Sequence, residues 1–451
     1  MRGMERFDIA VIGAGAAGEA AAHYARTRGA SVAIIDRHLF GGSCPFVACM
    51  PSKALLHAAA VHHAGGDYGW RRASDFRDYM INREGTDAPD DSGHVRSLES
   101  AGATVARGTA SFIGPGRIAV RHEGQEHELE AGAVILAVGS TSRVPDLPGL
   151  REAGYWTNVE GTGTRELPES LVIVGAGPTG VELAQVYARY GVPVTIVHPK
   201  ERIHDREHPR STALLTESLE RDGVTIRTGV RATRVQPGSP HQLQLSDGSN
   251  VEASTIMIAI GRQLPLDDLN LGAIGVHPED GRLPLEDGLR VADGVWAVGD
   301  AAGPEMHTHL AHYEGELAAM AALGDDVSPH LDAIPRSTYT DPEVASVGLQ
   351  QGQARERGID AAELTADLAT SSKGYTTESK GFLSIVVDRE RRVLIGASIC
   401  GPAASETIHE AVLAVRAEIR LDVLADTIHA FPTQARVLGS LFIRAARGEW
   451  D

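Results

Sequence analysis

The chain has 451 residues, which is enough for two to four domains that each bury a sizeable core. Its formal net charge of −18 argues against nucleic acid and anionic membrane surfaces as partners. Only three cysteines occur, too few for a disulfide-stapled secreted protein, and the polar first six residues are too short for a signal peptide. No apolar run approaches membrane-spanning length, so we expect a cytoplasmic globular protein.

The first predicted element is a complete dinucleotide-binding unit. Residues 7–12 form a strand, an Ala-rich helix follows, and a second strand at 31–35 ends in Asp36. The turn between the first strand and the helix carries the glycines of the fingerprint, Gly13, Gly15 and Gly18. These glycines permit close approach of a pyrophosphate to the helix N-terminus, and the acid accepts hydrogen bonds from ribose hydroxyls.

Two cysteines follow with four residues between them, Cys44 and Cys49. Pro51 suits the first turn of a helix, so Cys49 lies at or just before a helix N-terminus, where the helix dipole favours a thiolate. Cys44 is close enough in sequence to form a disulfide with it. The alternatives are two buried free thiols or half of a metal site. Structural zinc is disfavoured because no second Cys or His pair has ligand spacing, and Cys400 is expected to be a small buried apolar residue.

The dinucleotide fingerprint then recurs. The apolar run 133–140 has the character of a strand buried on both faces, and 145–149 is a turn cluster that suits a linker. Strands at 171–174 and 194–197 flank a helix in the second copy. Its turn glycines are Gly175, Gly177 and Gly180. A repeat of the whole unit predicts two bound dinucleotides rather than one.

The second copy lacks the acid that ends the second strand of the first. His198 stands at the equivalent position, and Lys200 and Arg202 follow it. Loss of a carboxylate and gain of positive charge suit a 2′-phosphate, so we expect NADPH rather than NADH, with NAD as a possible cofactor. The alternative is that Lys200 and Arg202 are solvated loop charges.

The remaining chain supplies a further strand end and a change of character. Strands at 255–260 and 294–300 end at Gly261 and at Gly299-Asp300, where open α/β sheets bind ligands. From about residue 334 the strand-like stretches 343–348, 381–387 and 393–400 precede helices at 405–417 and 423–428. This pattern predicts a separate α+β domain.

Together these motifs resemble the pyridine nucleotide-disulfide oxidoreductase family over essentially the whole chain. Gly41 to Lys53 matches the family's Gly-Gly-Thr-Cys-x4-Cys-x-Pro-Ser-Lys signature, with Ser43 in place of Thr. Ala297 to Asp300 matches its second FAD motif, and Thr340 to Gly348 matches the opening of its dimerisation domain. The family includes dihydrolipoamide dehydrogenase, glutathione reductase and mercuric reductase. The resemblance implies FAD in the first site, NAD(P)H in the second, a small-molecule substrate and a homodimer.

The fold implied is α/β, with two Rossmann-like dinucleotide-binding domains plus a C-terminal α+β dimerisation domain. We expect a first FAD-binding part with the redox disulfide at 1–150, an NAD(P)-binding domain at 151–265, a second FAD-binding part at 266–333 and the dimerisation domain at 334–451. By resemblance Cys49 is the flavin-proximal thiolate, Cys44 attacks substrate, Lys53 pairs with Glu182, and Asp300 binds the ribitol chain. Further cofactor-binding positions expected from the resemblance are Arg37, Gly42, Ser43, Ala110, Gly139 and Gly261.

One departure from the family concerns proton transfer. The family carries His-Pro-Thr near its C-terminus, with Glu five residues after that His, and the partner subunit delivers the His to the interchange thiol. Here Phe431 stands at the His position and Arg436 at the Glu position, while His429 lies two residues early. Phenylalanine cannot transfer a proton, so we expect slow reduction of ordinary disulfides.

Three functions remain open on the sequence. The first is an NAD(P)H-dependent flavoprotein that acts through Cys44 on an unidentified disulfide or thioether. The second is a metal-ion (mercuric-type) or quinone reductase, although the chain lacks the C-terminal cysteine pair of mercuric reductase. The third is a non-catalytic redox sensor. The redox segment is also similar to that of 2-ketopropyl-coenzyme M oxidoreductase/carboxylase, which likewise lacks the His–Glu dyad, but Ser52-Lys53 follows the ordinary reductase pattern.

Overall fold

A computed structural model describes residues 4–450. The chain divides into two compact units that each contain several segments. The first comprises the residues up to 54, 74–143 and 261–329, and the second comprises 55–73, 144–260 and 330 onward.

The first unit is built on an eight-stranded sheet whose centre is parallel. In spatial order the parallel strands are Thr104–Arg107, Val32–Asp36, Glu5–Ile12, Gln125–Leu136 and Val295–Ala297, with Arg290–Ala292 antiparallel at the edge. Thr109–Gly114 and Arg117–His122 form an antiparallel branch on Gln125–Leu136. A separate two-stranded ladder pairs Thr141–Ser142 with Arg262–Gln263. The last four residues of Glu5–Ile12 and of Gln125–Leu136 and most of Val32–Asp36 are buried on both faces, as expected for parallel strands covered by helices.

Small residues let two helices of this unit approach closely. The helix Ala16–Thr27 packs on Thr308–Ala322, and a Cβ on Gly315 would overlap the backbone of Ala17. The other helices that lie in this unit or begin in it are Ser43–Val47, Cys49–His63 and Ser92–Ser100, with 3₁₀ turns at Asp267–Leu269, Leu271–Ile274, Asp287–Leu289 and Gly299–Ala301. Trp70–Met80 begins in the second unit and ends in the first.

The second unit contains two larger sheets and a small one. A parallel sheet has the order Thr225–Arg227, Val194–Val197, Leu171–Val174, Thr255–Ile258. A three-stranded antiparallel sheet comprises Ala232–Gln236, His241–Leu245 and Asn250–Ala253. The helices of this part are Leu150–Ala153, Asn158–Gly163, Pro178–Arg189 and Pro209–Arg221.

The C-terminal part of the second unit is a five-stranded antiparallel sheet with helices. Its strand order is Arg336–Thr338, Glu343–Gly348, Val393–Gly401, Phe382–Asp388, Ala361–Asp367. The helices are Gln351–Glu356, Ser372–Thr377, Ala404–Arg416, Leu421–Asp426 and Gln434–Ala446, with a 3₁₀ turn at Leu368–Thr370. One apolar core joins this sheet to the two long helices Ala404–Arg416 and Gln434–Ala446.

The predicted α/β architecture with a C-terminal α+β domain is confirmed, and the fingerprint strands and helices lie where the sequence placed them. Three details differ. The strand predicted at 294–300 ends at Ala297 and gives way to a 3₁₀ turn at Gly299–Ala301, and the strand predicted at 133–140 ends at Leu136. The helix Gln434–Ala446 was not predicted. The exact domain boundaries stay predictions.

The segment Ser43–His63 corrects one expectation. By length and composition this segment is apolar enough to cross a membrane, since an 18-residue window within it has a mean hydropathy of 1.3. Inside the protein, 44% of that window is buried. A core helix of a globular domain meets the same criterion, and this one carries the redox cysteines at its start.

Candidate redox site

The two cysteines are brought together by a break between two helical segments. Cys44 lies in the short helix Ser43–Val47, and Cys49 is the first residue of Cys49–His63. Ala48 between them has φ −133° and ψ −92°, which interrupts the helix and turns the chain. The side chains of Cys44 and Cys49 are hydrogen-bonded to each other, and both are free thiols. The predicted disulfide therefore stays a prediction for the oxidised form.

The surroundings divide the protons unequally between the two sulfurs. The hydrogen bond with Cys49, then burial, then the charge of Cys49 all raise the pKa of the Cys44 thiol. Thr308 and Lys53 act in the opposite direction on the Cys44 pKa and are outweighed. The proton of the reduced pair is therefore held on Cys44, and the prediction that Cys49, at the helix N-terminus, is the thiolate stays a prediction.

Thr308 is a contact that the sequence reasoning missed. It is the first residue of the helix Thr308–Ala322, and its Oγ1 lies 3.4 Å from Cys49 Sγ. Its hydroxyl also hydrogen-bonds Cys44. Ser52 donates to the carbonyl of Cys49 at 3.1 Å and lies 3.3 Å from Lys53 Nζ. The thiol pair is thus held by hydroxyl groups as well as by the helix terminus.

The first glycine turn forms a cradle that side chains would fill. A Cβ on Gly13 would overlap the carbonyl of Ala137, and a Cβ on Gly18 would overlap the carbonyl of Gly13. A Cβ on Gly42 would lie 2.6 Å from the Cα of Gly15, so the redox segment passes directly over the turn. This close approach leaves backbone N–H groups of the turn available to a pyrophosphate.

Asp36 ends the strand Val32–Asp36 and orders the same turn. Its carboxylate accepts from the backbone N–H of Ala14 at 2.8 Å and of His38 at 2.7 Å. Two bonds leave further acceptor sites on the carboxylate for ribose hydroxyls. Arg37 is paired with Asp268 at 2.5 Å, and its expected contact with the cofactor stays a prediction.

Asp300 lies in a polar cluster at the end of the strand Val295–Ala297. Ser140 donates to its carboxylate, and Arg262 Nε lies 3.5 Å away. Arg262 also donates to the carbonyl of Ser140 at 2.7 Å. Gly139 and Gly261, which neighbour this cluster in sequence, both have positive φ and open space where a Cβ would point, whereas Ala110 is buried in its strand. These residues leave room at the carboxyl ends of the strands.

Beneath this cluster lies a buried carboxyl group, Glu314. It accepts from the backbone N–H of Gly299 at 2.7 Å and is 3% exposed. Burial, together with a smaller contribution from the charge of Asp300, raises the pKa of Glu314 to about 7, although the Gly299 hydrogen bond opposes the shift. This group therefore holds a proton near neutral pH.

The second glycine turn repeats the geometry of the first. A Cβ on Gly175 would overlap the carbonyl of Ala259, and a Cβ on Gly180 would overlap the carbonyl of Gly175. A Cβ on Gly177 would point into open space. His198, at the end of the strand Val194–Val197, has both ring nitrogens buried without a hydrogen bond among the described residues. Orphaned nitrogens beside a glycine turn fit a nucleotide that supplies their partners.

His198 does not itself add positive charge to the site. Burial lowers the pKa of His198, and Asp205, whose carboxylate lies 3.6 Å from Nε2, does not offset this. The ring is therefore neutral at pH 7. Lys200 and Arg202 are both exposed, and Arg202 donates to Thr212 Oγ1 at 3.1 Å. Both residues bring positive charge to this loop.

Glu182 lies in the helix that follows the second glycine turn, and Lys53 lies in the helix that begins at Cys49. Glu182 is 4% exposed in the helix Pro178–Arg189, and its Oε1 accepts from the backbone N–H of Tyr339 at 2.9 Å. Lys53 lies in the first turns of Cys49–His63. The expected ion pair between them stays a prediction.

The segment that lacks the catalytic histidine has a defined arrangement. Phe431 is 72% exposed, so its ring is not part of the core of its own chain. His429 is buried: its Nδ1 donates to the carbonyl of Thr427 at 3.0 Å, and its Nε2 lies 2.7 Å from Glu410 Oε1. Its ring packs on Gly439, where a Cβ would lie 2.5 Å from Nδ1. Both nitrogens of His429 are thus committed inside the chain.

No group of three or more His, Cys, Asp or Glu side chains within residues 4–450 has the geometry of a metal site. Cys400 is buried, and burial raises the pKa of its thiol to about 12, as expected for a core residue.

Comparison with known proteins gives a consistent result. Residues 7–315 match the family described as pyridine nucleotide-disulphide oxidoreductase, and residues 334–441 match its dimerisation domain. The chain is 33% identical to a dihydrolipoyl dehydrogenase of Halobacterium salinarum over 449 residues, which covers 94% of this chain and 93% of that protein. It is also 33% identical to a mercuric reductase of Streptomyces lividans over 455 residues, with 96% and 94% covered.

Two solved structures are similar over nearly their whole length. The HOCl-induced flavoprotein disulfide reductase RclA of Escherichia coli, solved as a Cu(II) complex of a mutant, superposes with a TM-score of 0.88 at 25% identity, covering 98% of this chain and 99% of that one. LpdA of Mycobacterium tuberculosis superposes with a TM-score of 0.86 at 27% identity, with the same coverage. Members of this family bind FAD and a pyridine nucleotide. With its paired cysteines, two glycine turns and C-terminal dimerisation domain, the chain belongs to the pyridine nucleotide-disulfide oxidoreductase family and is an NAD(P)H-dependent flavoprotein disulfide oxidoreductase.

Proposed function

We propose that this enzyme takes electrons from NADPH, passes them to the Cys44–Cys49 pair, and delivers them to an acceptor other than an ordinary disulfide. When bound, FAD supplies the two-electron link between the nicotinamide and the thiol pair. Gly13, Gly18 and Asp36 would hold its adenosine diphosphate part, and Asp300 would contact its ribitol chain. Cys49 would face it as the thiolate.

Possible electron acceptors differ in whether their reduction requires a proton donor at the site. When Cys44 attacks a disulfide, its thiol proton must pass to the first substrate thiolate that leaves, and Cys49 then displaces the second thiolate as the Cys44–Cys49 disulfide closes. Each departing thiolate with a pKa above the ambient pH takes up a proton, and a positioned acid accelerates that step by about 10²–10⁴-fold. An acceptor that leaves without a proton does not need such an acid.

The single observation that carries the proposal is the arrangement of His429 and Phe431. The segment 427–436 presents an exposed phenyl ring, while its one imidazole is bonded on both nitrogens to Thr427 and Glu410. A histidine held in this way is not free to exchange protons with a substrate. The geometry therefore favours chemistry in which proton delivery is not rate-limiting.

A second candidate, reduction of a soft metal ion, is favoured by the thiol pair itself. Two adjacent sulfurs, one of them negatively charged, are the ligands that soft metal ions prefer. The names of two relatives are consistent with a metal ion as the acceptor: one is a mercuric reductase, and the other is a reductase solved as a Cu(II) complex. In this reading the metal ion is the substrate and binds between Cys44 and Cys49.

An acceptor screen on the purified holoenzyme tests both candidates by following NADPH loss. Lipoamide, oxidised glutathione, a quinone, Hg(II) with excess thiol, and Cu(II) are compared at equal concentration. Turnover with a quinone or metal ion and little with the disulfides would support the proposal. Fast lipoamide turnover would contradict it, and no turnover with any acceptor would favour a redox sensor instead.

We also infer a preference for NADPH over NADH. The support is the absence of an acid at the end of the strand Val194–Val197 and the exposed Lys200 and Arg202 that follow. Asp205, whose carboxylate lies 3.6 Å from His198 Nε2, would oppose a 2′-phosphate. Stopped-flow reduction with the two nucleotides measures the preference directly.

Finally, we propose that the enzyme is a homodimer through residues 334–451. The support is the match of this part to the family's dimerisation domain, together with the exposed apolar side chains Leu413, Val423, Ile428 and Phe431. Such side chains are characteristic of a subunit interface. Light scattering of the holoenzyme at micromolar concentration should give twice the mass of one chain, and an active monomer would contradict the assignment.

A further inference from the structure

The loop that follows the strand Val194–Val197 is held by residues of the dimerisation domain. This loop, residues 198–208, carries the positions that we assign to the 2′ end of the pyridine nucleotide. The edge strand Arg336–Thr338 of the five-stranded sheet contacts it. Side chains two positions apart point to the same face of a strand, and Arg336 and Thr338 both reach the loop.

His204 links the second glycine turn to this strand. Its backbone N–H donates to the carbonyl of Ala176 in the turn at 2.8 Å. Its buried ring places Nε2 2.6 Å from Oγ1 of Thr338, which is also buried. His204 has a φ of 49°, a left-handed conformation that a residue with a side chain keeps only where its surroundings hold it. The conformation of the loop at this point therefore depends on contacts with both the turn and the strand.

Glu207 is a buried carboxylate in the same loop. Its backbone N–H donates to the carbonyl of His204 at 3.0 Å, and its Oε1 accepts from Arg336 Nε at 3.0 Å. Its Oε2 is buried without a hydrogen-bond partner in the part of the chain that the structure describes. Burial lowers the pKa of His204, so that ring is neutral at pH 7 and Arg336 supplies the counter-charge. A buried carboxylate that loses its cation is costly to keep in place, so the loop should move when Arg336 is removed.

The dimerisation domain makes two further contacts near the glycine turn. Gln350 Nε2 donates to the carbonyl of Arg206 in the loop at 2.9 Å. The backbone N–H of Tyr339, one residue beyond the edge strand, donates to Glu182 Oε1 at 2.9 Å. The domain thus contacts both the helix that begins at the second glycine turn and the loop that is hydrogen-bonded to that turn.

We propose that Arg336 and Glu207 are positioning residues for the pyridine nucleotide. Their ion pair and the neighbouring His204–Thr338 hydrogen bond hold residues 198–208 in the conformation that discriminates between NADPH and NADH. The two nucleotides differ at the ribose 2′ position, which lies at the end of the second strand in this fold. A displaced loop therefore loses the contacts that depend on the 2′ substituent. The inference rests on the proposed nucleotide site, but not on which nucleotide the wild type prefers.

A double variant tests the proposal. Glu207→Met with Arg336→Met replaces the ion pair by apolar side chains of similar length and leaves no unpaired buried charge, so we expect the protein to fold. Stopped-flow flavin reduction of the FAD-loaded enzyme gives apparent dissociation constants for NADPH and NADH. The ratio of these constants should move toward one by about threefold or more, because hydrogen bonds to one substituent are lost. The rate of flavin reduction at saturating nucleotide should stay at the wild-type value.

Two comparisons separate positioning from a general loss of structure. Arg336→Lys keeps a charge for Glu207 and should stay closer to the wild-type ratio than Arg336→Gln. Asp341→Asn is the matched control, because it removes a 2.8 Å ion pair between the dimerisation domain and Arg189, which ends the helix Pro178–Arg189. This control should leave the ratio unchanged. Urea denaturation and FAD content report the stability and cofactor loading of each variant.

The outcomes distinguish this inference from the proposed NADPH preference. A wild type that prefers NADH would contradict that preference alone, and a ratio that moves toward one in the double variant would still support the positioning role. A wild type that does not discriminate, or a double variant with lowered stability and an unchanged ratio, would overturn the inference. An equal change of the ratio in Asp341→Asn would overturn it as well.

Discussion

His429 and Glu410 are joined by a hydrogen bond of 2.7 Å between the helix Ala404–Arg416 and the segment that precedes Gln434–Ala446. Because Nδ1 of the same ring donates to Thr427, the histidine anchors this segment to its own domain. The neighbouring Phe431 is left exposed. The histidine nearest to the missing catalytic position therefore has a structural role.

This pair gives the first prediction. His429→Ala should lower the free energy of unfolding by about 1–3 kcal/mol, because it removes a largely buried side chain that is hydrogen-bonded to both Thr427 and Glu410. Disulfide turnover per folded holoenzyme should be little changed. Urea denaturation at fixed protein concentration measures the first effect and steady-state kinetics the second. Loss of disulfide turnover with unchanged stability would mean that His429 is the proton donor after all.

The second prediction concerns the Cys49 thiolate. Reduction of the wild-type enzyme should produce a long-wavelength absorbance from the thiolate beside the flavin, and Cys49→Ser should abolish it. Cys44→Ser is the matched control, because it keeps Cys49 and should show the band without added reductant. A Cys49→Ser variant that kept the band would refute the assignment of the two sulfurs.

Thr308 provides a finer test of the same site. Thr308→Val keeps the shape of the side chain and removes the hydroxyl that lies 3.4 Å from Cys49 Sγ. The thiolate loses one hydrogen-bond donor, so the pKa of the reduced pair should rise. A pH titration of the long-wavelength band measures the shift. An unchanged titration would show that the hydroxyl does not stabilise the thiolate.

The third prediction concerns nucleotide choice. Lys200→Gln combined with Arg202→Gln should reduce the preference for NADPH by about tenfold or more, since charge-assisted contacts contribute about 1.5–3 kcal/mol. Asp205→Asn should increase the preference, because it removes the acid 3.6 Å from His198. Apparent dissociation constants from stopped-flow flavin reduction test both directions. Equal or better use of NADH by the wild type would contradict the assignment.

The fourth prediction is a pH dependence that arises from Glu314. Its pKa in the folded protein is about 7, raised from an ordinary 4.5, so between these values the folded state binds more protons than the unfolded state. Stability should therefore fall as pH rises from about 4.5 to 7, by up to about 3 kcal/mol in total from this group. Glu314→Gln keeps an acceptor for Gly299 and removes the charge. Denaturation midpoints should then show a gain for the variant at pH 8 and none at pH 4.5.

The features that the sequence predicted well are those set by local pattern. Both glycine turns follow a short apolar strand and precede a helix. A Rossmann-like domain needs this strand–turn–helix order, because the pyrophosphate of the dinucleotide binds at the helix N-terminus. Cys49 at a helix start was predictable because Pro51 and the Ala-rich run that follows it mark the helix locally.

The features that the sequence missed depend on contacts between distant residues. Thr308 lies 259 positions from Cys49, and Glu410 lies 19 positions from His429 on another helix, so no local pattern links either pair. The lowered pKa of His198 could not be predicted, because residue type alone does not reveal burial. Arg37 likewise has a partner, Asp268, that is 231 positions away.

The central claim is that Phe431 occupies the position of a proton donor and so directs the enzyme away from ordinary disulfides. The most direct measurement is lipoamide turnover by the double variant Phe431→His and Arg436→Glu, with flavin reduction by NADPH measured in the same preparation. Arg436→Gln alone is the control for loss of the arginine. We predict that the double variant gains about 10²–10⁴-fold in lipoamide turnover with an unchanged rate of flavin reduction. Lipoamide turnover that stays at the wild-type rate in a folded, FAD-loaded double variant would contradict the claim.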